Sequence, residues 1–476
     1  MSEDNKSLAQ HAIPNALMKQ IPCIGIRWDD ETLIVACPAD KNDEVKAALQ
    51  KLGLAFEITE ATENAINNLI EFVENESKED RITNFATVTG DAPISQLVDE
   101  LLERAVANRA SDLHIEPFAE GIKARIRIDG RLVLLAELPI AIAPAISSRI
   151  KILSQLNIVE RRRPQDGQFT TSIRGHRVDV RVATTTTIHG EKIVMRLHDE
   201  SRPLSELTQL GMPEYQFKPF IRSVNAMNGL VLAAGPTGSG KTTTLHSALR
   251  ATSAPWKNIT TIEDPVEYVV PGINQIPVSE SSGTTFAIQL RAILRQDPDV
   301  ILVGETRDAE TARISVQAAL TGHLVLSSIH ATDAVGAVYR LMQMEIEPYL
   351  VASSLTMVIS QRLVRRICQY CKRPYTPNHA ENIILEKFEI NSEHLSKGVG
   401  CAFCGGSGFR DRIAAYQMLE ITESLSELIS SRPDPGEFRR QATKEGMSTV
   451  PIQALRLAEI GDTTISEAME LLNYAD

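Results

Sequence analysis

The sequence has no long apolar run, and this absence excludes an integral membrane protein with helical spans. Along its 476 residues, no apolar stretch approaches the ~18 residues that a membrane-spanning helix requires. Residues 1–10 are polar and lack the apolar core of a signal peptide. We therefore expect the chain to be made in the cytoplasm and to stay there.

The sequence has no excess of positive charge, and it has few aromatic residues. The formal net charge is −12, and aromatic residues make up 5% of the chain. Nucleic acids and anionic membranes attract basic surfaces, and single strands stack on aromatic side chains. We therefore expect no nucleic-acid partner, although residues 362–366 form one locally basic segment.

Cysteine is rare, which disfavours a disulfide scaffold in a chain of this size. Of the six cysteines, Cys23 and Cys37 stand alone in apolar surroundings and are predicted to be buried core residues. The other four form two CxxC pairs, with 29 residues between the pairs. Two CxxC turns can present four thiolates tetrahedrally, so we predict a structural Zn²⁺ site; a redox pair and four core cysteines are the alternatives. The predicted ligands are Cys368, Cys371, Cys401 and Cys404.

A complete phosphate-binding loop is present at residues 235–242. The apolar run Leu230–Ala234 precedes it as a predicted strand, and a predicted helix follows it. In such a loop, backbone N–H groups at the helix N-terminus bind phosphate, Lys241 reaches the β and γ oxygens, and the Thr242 hydroxyl holds Mg²⁺. We therefore predict that the chain binds ATP and Mg²⁺. The predicted nucleotide contacts are Gly235, Pro236, Thr237, Gly238, Ser239, Gly240, Lys241, Thr242 and Thr243.

The length and the changes of pattern along the chain indicate several domains. A polar, acidic stretch from Glu74 to Asp91 is predicted to be a linker, and alternating apolar patterns on both sides of it indicate α/β domains. Further on, unbroken apolar runs are typical of parallel strands buried on both faces. The predicted segments are an N-terminal α/β module (1–80), a second α/β domain (91–198), a linker (199–213), a P-loop core (214–365), a cysteine segment (366–412) and a helical C-terminal region (413–476).

Four of the buried runs each end in polar residues. Because ligands lie at the carboxyl ends of parallel strands, these residues are expected to meet at one edge of the sheet. Glu305 is placed to ligate Mg²⁺, and Glu263 is the better candidate for polarising the attacking water, although the two roles could be exchanged. His330 can sense the γ-phosphate or bridge to a neighbouring subunit, whereas His323 by itself is more typical of a structural histidine. The predicted catalytic residues are Lys241, Glu263, Glu305 and His330, and for Asp308 and Glu267 a helix cap or a loop charge is an equal alternative.

Together these features resemble the secretion-superfamily ATPases, which comprise the type II secretion motor and the type IV pilus assembly motor. The resemblance covers residues 91 to about 460 and fits less well before residue 80. Two positions depart from the family pattern: Thr306 stands where an apolar β-branched residue is usual, and residues 331–333 replace the usual Thr-Asn-Asp. The matching runs are Arg109–Pro117, Arg163–Phe169, Gly190–Leu197, Gly235–Thr242, Thr261–Glu267, Leu294–Glu305 and Thr321–Ser327.

The resemblance implies an α/β fold with a RecA-like P-loop domain, a preceding PAS-like α/β domain, a small N-terminal α/β module and a tetracysteine zinc subdomain. It also implies a homo-hexamer with nucleotide between the RecA-like domain and the preceding domain. Arginines that can contact phosphate or a neighbouring subunit are then Arg127, Arg181, Arg196, Arg291 and Arg295.

The function that we expect is a cytoplasmic, ATP-hydrolysing motor of a bacterial type II secretion system that drives pseudopilus assembly. The N-terminal module would dock on the cytoplasmic domain of an inner-membrane scaffold protein, beside an inner-membrane platform protein. Retraction motors usually lack both this module and the cysteine pairs. The alternatives are a type IV pilus extension ATPase and, from a different class, a hexameric DNA translocase.

Overall fold

A computed structural model describes residues 9–10, 12–79, 91–199, 204, 206–279 and 283–472. The described chain forms two compact units. The first holds residues 9–199 together with Cys368–Cys371 and Gly398–Arg410, and the second holds Leu204–Ile367, Lys372–Lys397 and residues 411–472. Among these residues, no helix has the length and apolar character needed to cross a membrane.

The first unit begins with a small α/β module. Strands β1 and β2 pair antiparallel, and β3 adds in parallel to β2. Strands β1 and β2 flank the polar turn at residues 29–31, and β3 forms although its two glutamates interrupt the apolar pattern. The elements are α1 (Asn15–Gln20), β1 (Ile24–Asp29), β2 (Thr32–Cys37), α2 (Asn42–Lys51), β3 (Phe56–Glu60) and α3 (Glu63–Glu79).

The first residues of the linker predicted from Glu74 are helical. Helix α3 continues to Glu79, because glutamate and lysine are good helix formers and need no buried partner. The rest of this predicted linker, residues 80–90, lies outside the described residues.

The second part of this unit is a six-stranded sheet with two helices packed on it. Its order is β6-β5-β4-β9-β8-β7, and all neighbouring strands pair antiparallel. Asp129 and Gly130 form the hairpin turn between β5 and β6, and both have positive φ, at 48° and 91°. The elements are α4 (Asp91–Ala107), β4 (Asp112–Phe118), β5 (Gly121–Ile128), β6 (Arg131–Leu138), α5 (Ala143–Leu153), β7 (Gln165–Ile173), β8 (His176–Thr187) and β9 (Gly190–Asp199).

The second unit is built on a seven-stranded sheet of order β12-β11-β13-β14-β10-β15-β18. The strands β11, β13, β14 and β10 are parallel neighbours, so their carboxyl ends lie at one edge. These are the four buried runs predicted from the sequence. Up to β15 the elements are α6 (Glu214–Val224), β10 (Gly229–Ala234), α7 (Lys241–Thr252), β11 (Ile259–Glu263), β12 (Asn274–Pro277), α8 (Phe286–Ile293), β13 (Val300–Val303), α9 (Ala309–Leu320), β14 (Leu324–Ile329), α10 (Ala334–Gln343), α11 (Pro348–Ser354) and β15 (Leu355–Ile367).

The C-terminal part of the chain corrects one prediction and refines two others. The region expected to be helical from residue 413 begins inside strand β18, which joins the large sheet, and four helices follow. The spacer between the CxxC pairs forms two short paired strands and a helix. The linker predicted at 199–213 contains a short 3₁₀ turn, Leu207–Leu210, whose Leu207 is buried. The elements are β16 (Lys372–Pro374), α12 (His379–Lys387), β17 (Ser396–Gly398), β18 (Phe409–Glu420), α13 (Glu423–Ser430), α14 (Pro435–Lys444), α15 (Val450–Glu459) and α16 (Ile465–Leu472).

Candidate functional site

The loop between β10 and α7 has the backbone of a phosphate cradle. Gly235, Gly238 and Gly240 all have positive φ, at 143°, 77° and 90°. A Cβ at Gly235 would lie 2.6 Å from Ser239 Oγ and 2.8 Å from the backbone oxygen of Gln361, so a larger residue does not fit there. The glycines thus allow the close curl that brings successive N–H groups toward one point.

The side chains of this loop also fit a phosphate group. The Lys241 ammonium donates to the backbone oxygens of Gly235 (2.8 Å) and Pro236 (2.9 Å), and so lies inside the loop. Within the described chain, the Ser239 hydroxyl is buried without a hydrogen-bond partner. Gln361 of β15 donates to the Ser239 backbone oxygen at 2.8 Å, which ties the loop to the neighbouring strand. An anion bound here would meet a lysine and a free hydroxyl.

Glu305 and His330 lie together beside this loop. His330 Nε2 is 2.9 Å from Glu305 Oε1, and His330 Nδ1 is 3.3 Å from the backbone oxygen of Gly235. Burial lowers the pKa of Lys241, and the charge of Glu305 partly opposes that effect. The sheet therefore brings together three of the four predicted catalytic residues: Lys241, Glu305 and His330.

Arg307 belongs to this group and was not predicted. Its Nη2 is 2.6 Å from the second carboxylate oxygen of Glu305. The available sequence signal was its position two residues after Glu305, in the polar run that ends β13. The Glu305 side chain is 16% exposed, with one carboxylate oxygen beside Arg307 and the other beside His330.

Glu263, the fourth predicted catalytic residue, has a different environment. It is 3% exposed, and its Oε1 accepts hydrogen bonds from Thr261 (2.6 Å) and Gln275 (3.0 Å). Its Oε2 is 3.0 Å from His246 Nε2. Burial acts to raise the pKa of Glu263, but the hydrogen bond and charge of His246 outweigh it, so the pKa lies below its usual range. In this state the Glu263 carboxylate is enclosed by the protein.

His246 is a second residue that the sequence analysis missed. Burial acts to lower its pKa, whereas the hydrogen bond and charge of Glu263 raise it above the usual value. The sequence feature that could have indicated His246 is its position in the first turns of α7, four residues after Thr242.

Four other polar residues considered from the sequence have structural partners or lie in solvent, and one of them, His323, precedes β14 and so lies at the opposite edge of the sheet. Asp308 caps α9 by accepting from the Thr311 backbone at 2.8 Å, and Glu267 is exposed. His323 Nδ1 lies 3.0 Å from the Ala318 backbone oxygen, as expected for a structural histidine. The unusual Thr306 is buried, with its hydroxyl 2.8 Å from Ser327 Oγ, so this departure from the family pattern leaves no unsatisfied polar group there.

The predicted arginines have partners within their own units. Arg291 Nη2 is 2.5 Å from Glu310, and Arg295 Nη1 donates to the Arg291 backbone oxygen at 3.0 Å. In the first unit, Arg127 and Arg196 both lie near Asp112, at 3.6 and 3.2 Å. Arg181 stands opposite Arg196 in the backbone register of β8 and β9. Their contact with nucleotide stays a prediction.

The four cysteines of the CxxC pairs form one cluster, with all sulfurs within 4.8 Å of one another. Three of the S–S distances are 3.8, 3.9 and 3.7 Å. Four thiolates at about 2.3 Å from one tetrahedral Zn²⁺ would be separated by about 3.8 Å, so the geometry fits this ion, whereas a disulfide requires about 2.05 Å. Backbone N–H groups of Cys401 and Gly408 donate to Cys404 Sγ, each at 3.2 Å. The residues whose geometry fits zinc are the four predicted ligands, Cys368, Cys371, Cys401 and Cys404.

The chain is similar in sequence to known pilus and secretion ATPases. The chain is 42% identical over 395 residues to the type IV pilus assembly ATPase PilB of Myxococcus xanthus, covering 82% of this chain and 70% of that protein. It is 44% identical over 341 residues to the type II secretion system ATPase E of Vibrio cholerae, covering 72% and 68%. With PilB of Thermus thermophilus it is 38% identical over 477 residues, which are 96% of this chain and 54% of that protein.

Solved structures share the fold. The crystal structure of the pilus retraction motor PilT with bound ADP superposes with a TM-score of 0.52 at 26% identity, covering 78% of this chain and 96% of that one. The Legionella pneumophila ATPase DotB gives 0.59 at 21% identity, covering 80% and 96%. The α/β ATPase fold expected from the sequence is thereby confirmed.

The family match covers most of the chain. Residues 87–470, which include the P-loop, both acidic strands and the cysteine cluster, match the family described as Type II/IV secretion system protein. The chain therefore belongs to the type II/IV secretion system protein family, among relatives that are secretion and pilus ATPases.

Proposed function

We propose that the chain is the ATP-hydrolysing motor of a bacterial type II secretion system, which drives pseudopilus assembly and protein export. The main support for this proposal is that Lys241, Glu305 and His330 lie close together at one edge of the sheet. A phosphate loop alone would support only nucleotide binding. A carboxylate beside the loop, linked to it through a histidine, adds groups that hydrolysis needs.

The residues have separable roles in this proposal. The loop from Gly235 to Thr242 holds the triphosphate, with Lys241 against its β and γ oxygens. The Thr242 hydroxyl and Glu305 would hold Mg²⁺, which supplies charge neutralisation on the transferring phosphoryl group. His330, joined to both Glu305 and the loop backbone, is placed to sense whether the γ-phosphate is present.

Glu263 is proposed to orient the attacking water. Its full set of hydrogen-bond partners fixes the carboxylate, and a fixed carboxylate favours an oriented nucleophile. Because Glu263 is 3% exposed, this role requires a rearrangement that admits water to the carboxylate when nucleotide binds.

The assembly that we propose is a homo-hexamer attached to inner-membrane proteins through its N-terminal module. The cysteine cluster and this module support a secretion or assembly motor over a retraction motor. Identity to the type II ATPase of V. cholerae supports the secretion system, and identity to the two PilB proteins makes pilus extension the second candidate.

One experiment separates these candidates. The tagged full chain is co-purified from bacterial cells, the bound membrane proteins are identified, and Mg²⁺-dependent ATP hydrolysis of the same sample is measured. A scaffold with one membrane span and a cytoplasmic domain supports type II secretion, and a platform recovered with pilin-assembly proteins supports pilus extension. Salt-dependent DNA binding without such membrane proteins would favour the DNA translocase and contradict the proposal.

A further inference from the structure

We propose that His246 is a positioning residue for hydrolysis, which links the end of the phosphate loop to the carboxylate of Glu263. This inference rests on the proposed ATPase function. His246 lies on α7, which begins at Lys241, and Glu263 is the last residue of β11. The imidazole is therefore a bridge between the segment that binds phosphate and the group proposed to orient water.

The bridge is short at both ends and closed to solvent. His246 Nδ1 lies 2.9 Å from the Thr242 backbone oxygen, and Nε2 lies 3.0 Å from Glu263 Oε2. The His246 side chain is 2% exposed. The ring of Tyr268 packs against it, with the ring centroids 5.8 Å apart. A buried ring with two fixed contacts has little freedom to turn.

The two ring nitrogens of His246 both face groups that accept hydrogen bonds. A backbone carbonyl only accepts hydrogen bonds, and so does an ionised carboxylate. Both ring nitrogens of His246 must therefore donate, one to Thr242 and one to Glu263. A charge-assisted hydrogen bond to a carboxylate is among the stronger ones in proteins.

The other partners of Glu263 do not connect it to the phosphate loop. Thr261 belongs to β11 itself, and Gln275 belongs to the adjacent strand β12. Both donate to Oε1 of Glu263, whereas His246 contacts Oε2. A shift of the first turn of α7 on nucleotide binding would thus reach Glu263 through the imidazole. Loss of His246 leaves Oε2 without this donor and the carboxylate less well oriented.

Two substitutions separate the two ends of the bridge. The side-chain nitrogen of asparagine can replace Nδ1, so His246→Asn keeps the contact with Thr242 and removes the one with Glu263. Glutamine is longer, and its nitrogen can replace Nε2, so His246→Gln keeps the contact with Glu263. We expect His246→Asn to lower kcat by about tenfold to a hundredfold, since small misplacements of a reacting group have effects of that size. We expect His246→Gln to retain a kcat at least about fivefold above that of the Asn variant.

The readouts are kcat for ATP and the Kd of a fluorescent ATP analogue, measured on the full chain. The Kd of both variants should stay within about threefold of the original chain, because phosphate contacts are unchanged. Should His246→Asn fail to fold by circular dichroism, His246→Phe fills a similar space without a donor and takes its place. Equal kcat values for the Gln variant and the variant without a donor to Glu263 would overturn the inference.

A double-substitution cycle tests whether His246 acts through Glu263. In a Glu263→Gln background, His246→Asn should lower kcat by less than about twofold, since residues that act as a unit are not additive. Full additivity would mean that His246 acts elsewhere, and the inference would fail while the ATPase proposal stands. If the unsubstituted chain binds the analogue but shows no Mg²⁺-dependent hydrolysis with its membrane partner, both the proposed function and this inference are wrong.

Discussion

His330 Nε2 lies 2.9 Å from Glu305 Oε1, although the two residues come from the ends of different strands. The parallel register of β13 and β14 sets this contact, because it aligns Val303 with Ser327 and so brings the two strand ends side by side. The other nitrogen of His330 lies 3.3 Å from the phosphate-loop backbone at Gly235. A change at the loop can therefore reach the acidic group through one side chain.

Glu305→Gln should separate nucleotide binding from hydrolysis. The amide keeps the shape of the side chain but removes the charge that pairs with His330 and Arg307 and is proposed to hold Mg²⁺. We expect the Kd for ATP to change by less than about threefold and kcat to fall by about a hundredfold or more, as for loss of other preorganised charges.

The measurements are equilibrium binding of an ATP analogue and single-turnover hydrolysis. The matched control is Glu214→Gln, which removes an exposed carboxylate paired with Lys218 in the same unit and should leave both values unchanged. Normal turnover in Glu305→Gln would refute the assigned role of this carboxylate.

Lys241→Ala should abolish productive nucleotide binding. The ammonium lies inside the loop on the backbone oxygens of Gly235 and Pro236, so its loss removes the positive charge facing bound phosphates. We expect a Kd for ATP at least about a hundredfold weaker, in line with loss of about 3 kcal/mol of charge-assisted hydrogen bonding. Titration calorimetry measures this, with Lys218→Ala, an exposed lysine, as control. Unchanged ATPase activity in Lys241→Ala would remove the loop from the mechanism.

Much of this site could be predicted from the sequence, for a reason that lies in the strands. Buried runs such as Val300–Val303 are unbroken and end in polar residues, so their edge of the sheet is visible in the pattern. His246 and Arg307 could not be assigned in this way, because their roles depend on which neighbour each side chain meets. Strand β18 was missed because its position next to β15 depends on a partner far away in sequence. The local pattern does not determine such tertiary contacts.

Cys368→Ser should lose bound zinc and loosen the first unit. A serine hydroxyl is a poor ligand for this ion, and the remaining three thiols leave the tetrahedral site incomplete. Cys368, Cys371 and Cys401 are buried in the same apolar cluster as strands β1 and β2 of the N-terminal module. Loss of the metal should therefore also expose that module to proteolysis.

Metal content per chain is measured by mass spectrometry, and limited proteolysis reports the N-terminal module. Cys23→Ala serves as control, since Cys23 lies in that apolar cluster but outside the metal ligands and should keep one zinc ion per chain. Stoichiometric zinc in Cys368→Ser would show that the cluster has another role.

Glu116 should make the stability of the first unit depend on pH. Its carboxylate is 4% exposed and lies 2.5 Å from Arg125 and 2.9 Å from Lys192. Burial acts to raise the pKa of Glu116, but the hydrogen bonds and charges of Lys192 and Arg125 outweigh it and hold the pKa below its usual value of 4.5. A carboxyl group whose pKa is lowered by folding stabilises the fold above its unfolded pKa, and this contribution is lost as pH falls through the folded pKa.

Glu116→Gln should therefore destabilise the chain by about 3 kcal/mol at pH 7, because two cations lose a buried partner. The difference from the original chain should shrink as the pH falls from about 4.5 through the lowered pKa of folded Glu116, because the original carboxyl group is protonated only below that pKa. Urea unfolding followed by circular dichroism at pH 7 and at the lowest pH below 4.5 at which the chain still folds measures both values. Glu137→Gln is the matched control from the same sheet, since its pairing with Lys123 spans 3.8 Å between exposed side chains and should contribute less than about 1 kcal/mol. An equal loss of stability in Glu116→Gln at both pH values would show that packing of the side chain, and not its charge, stabilises this sheet.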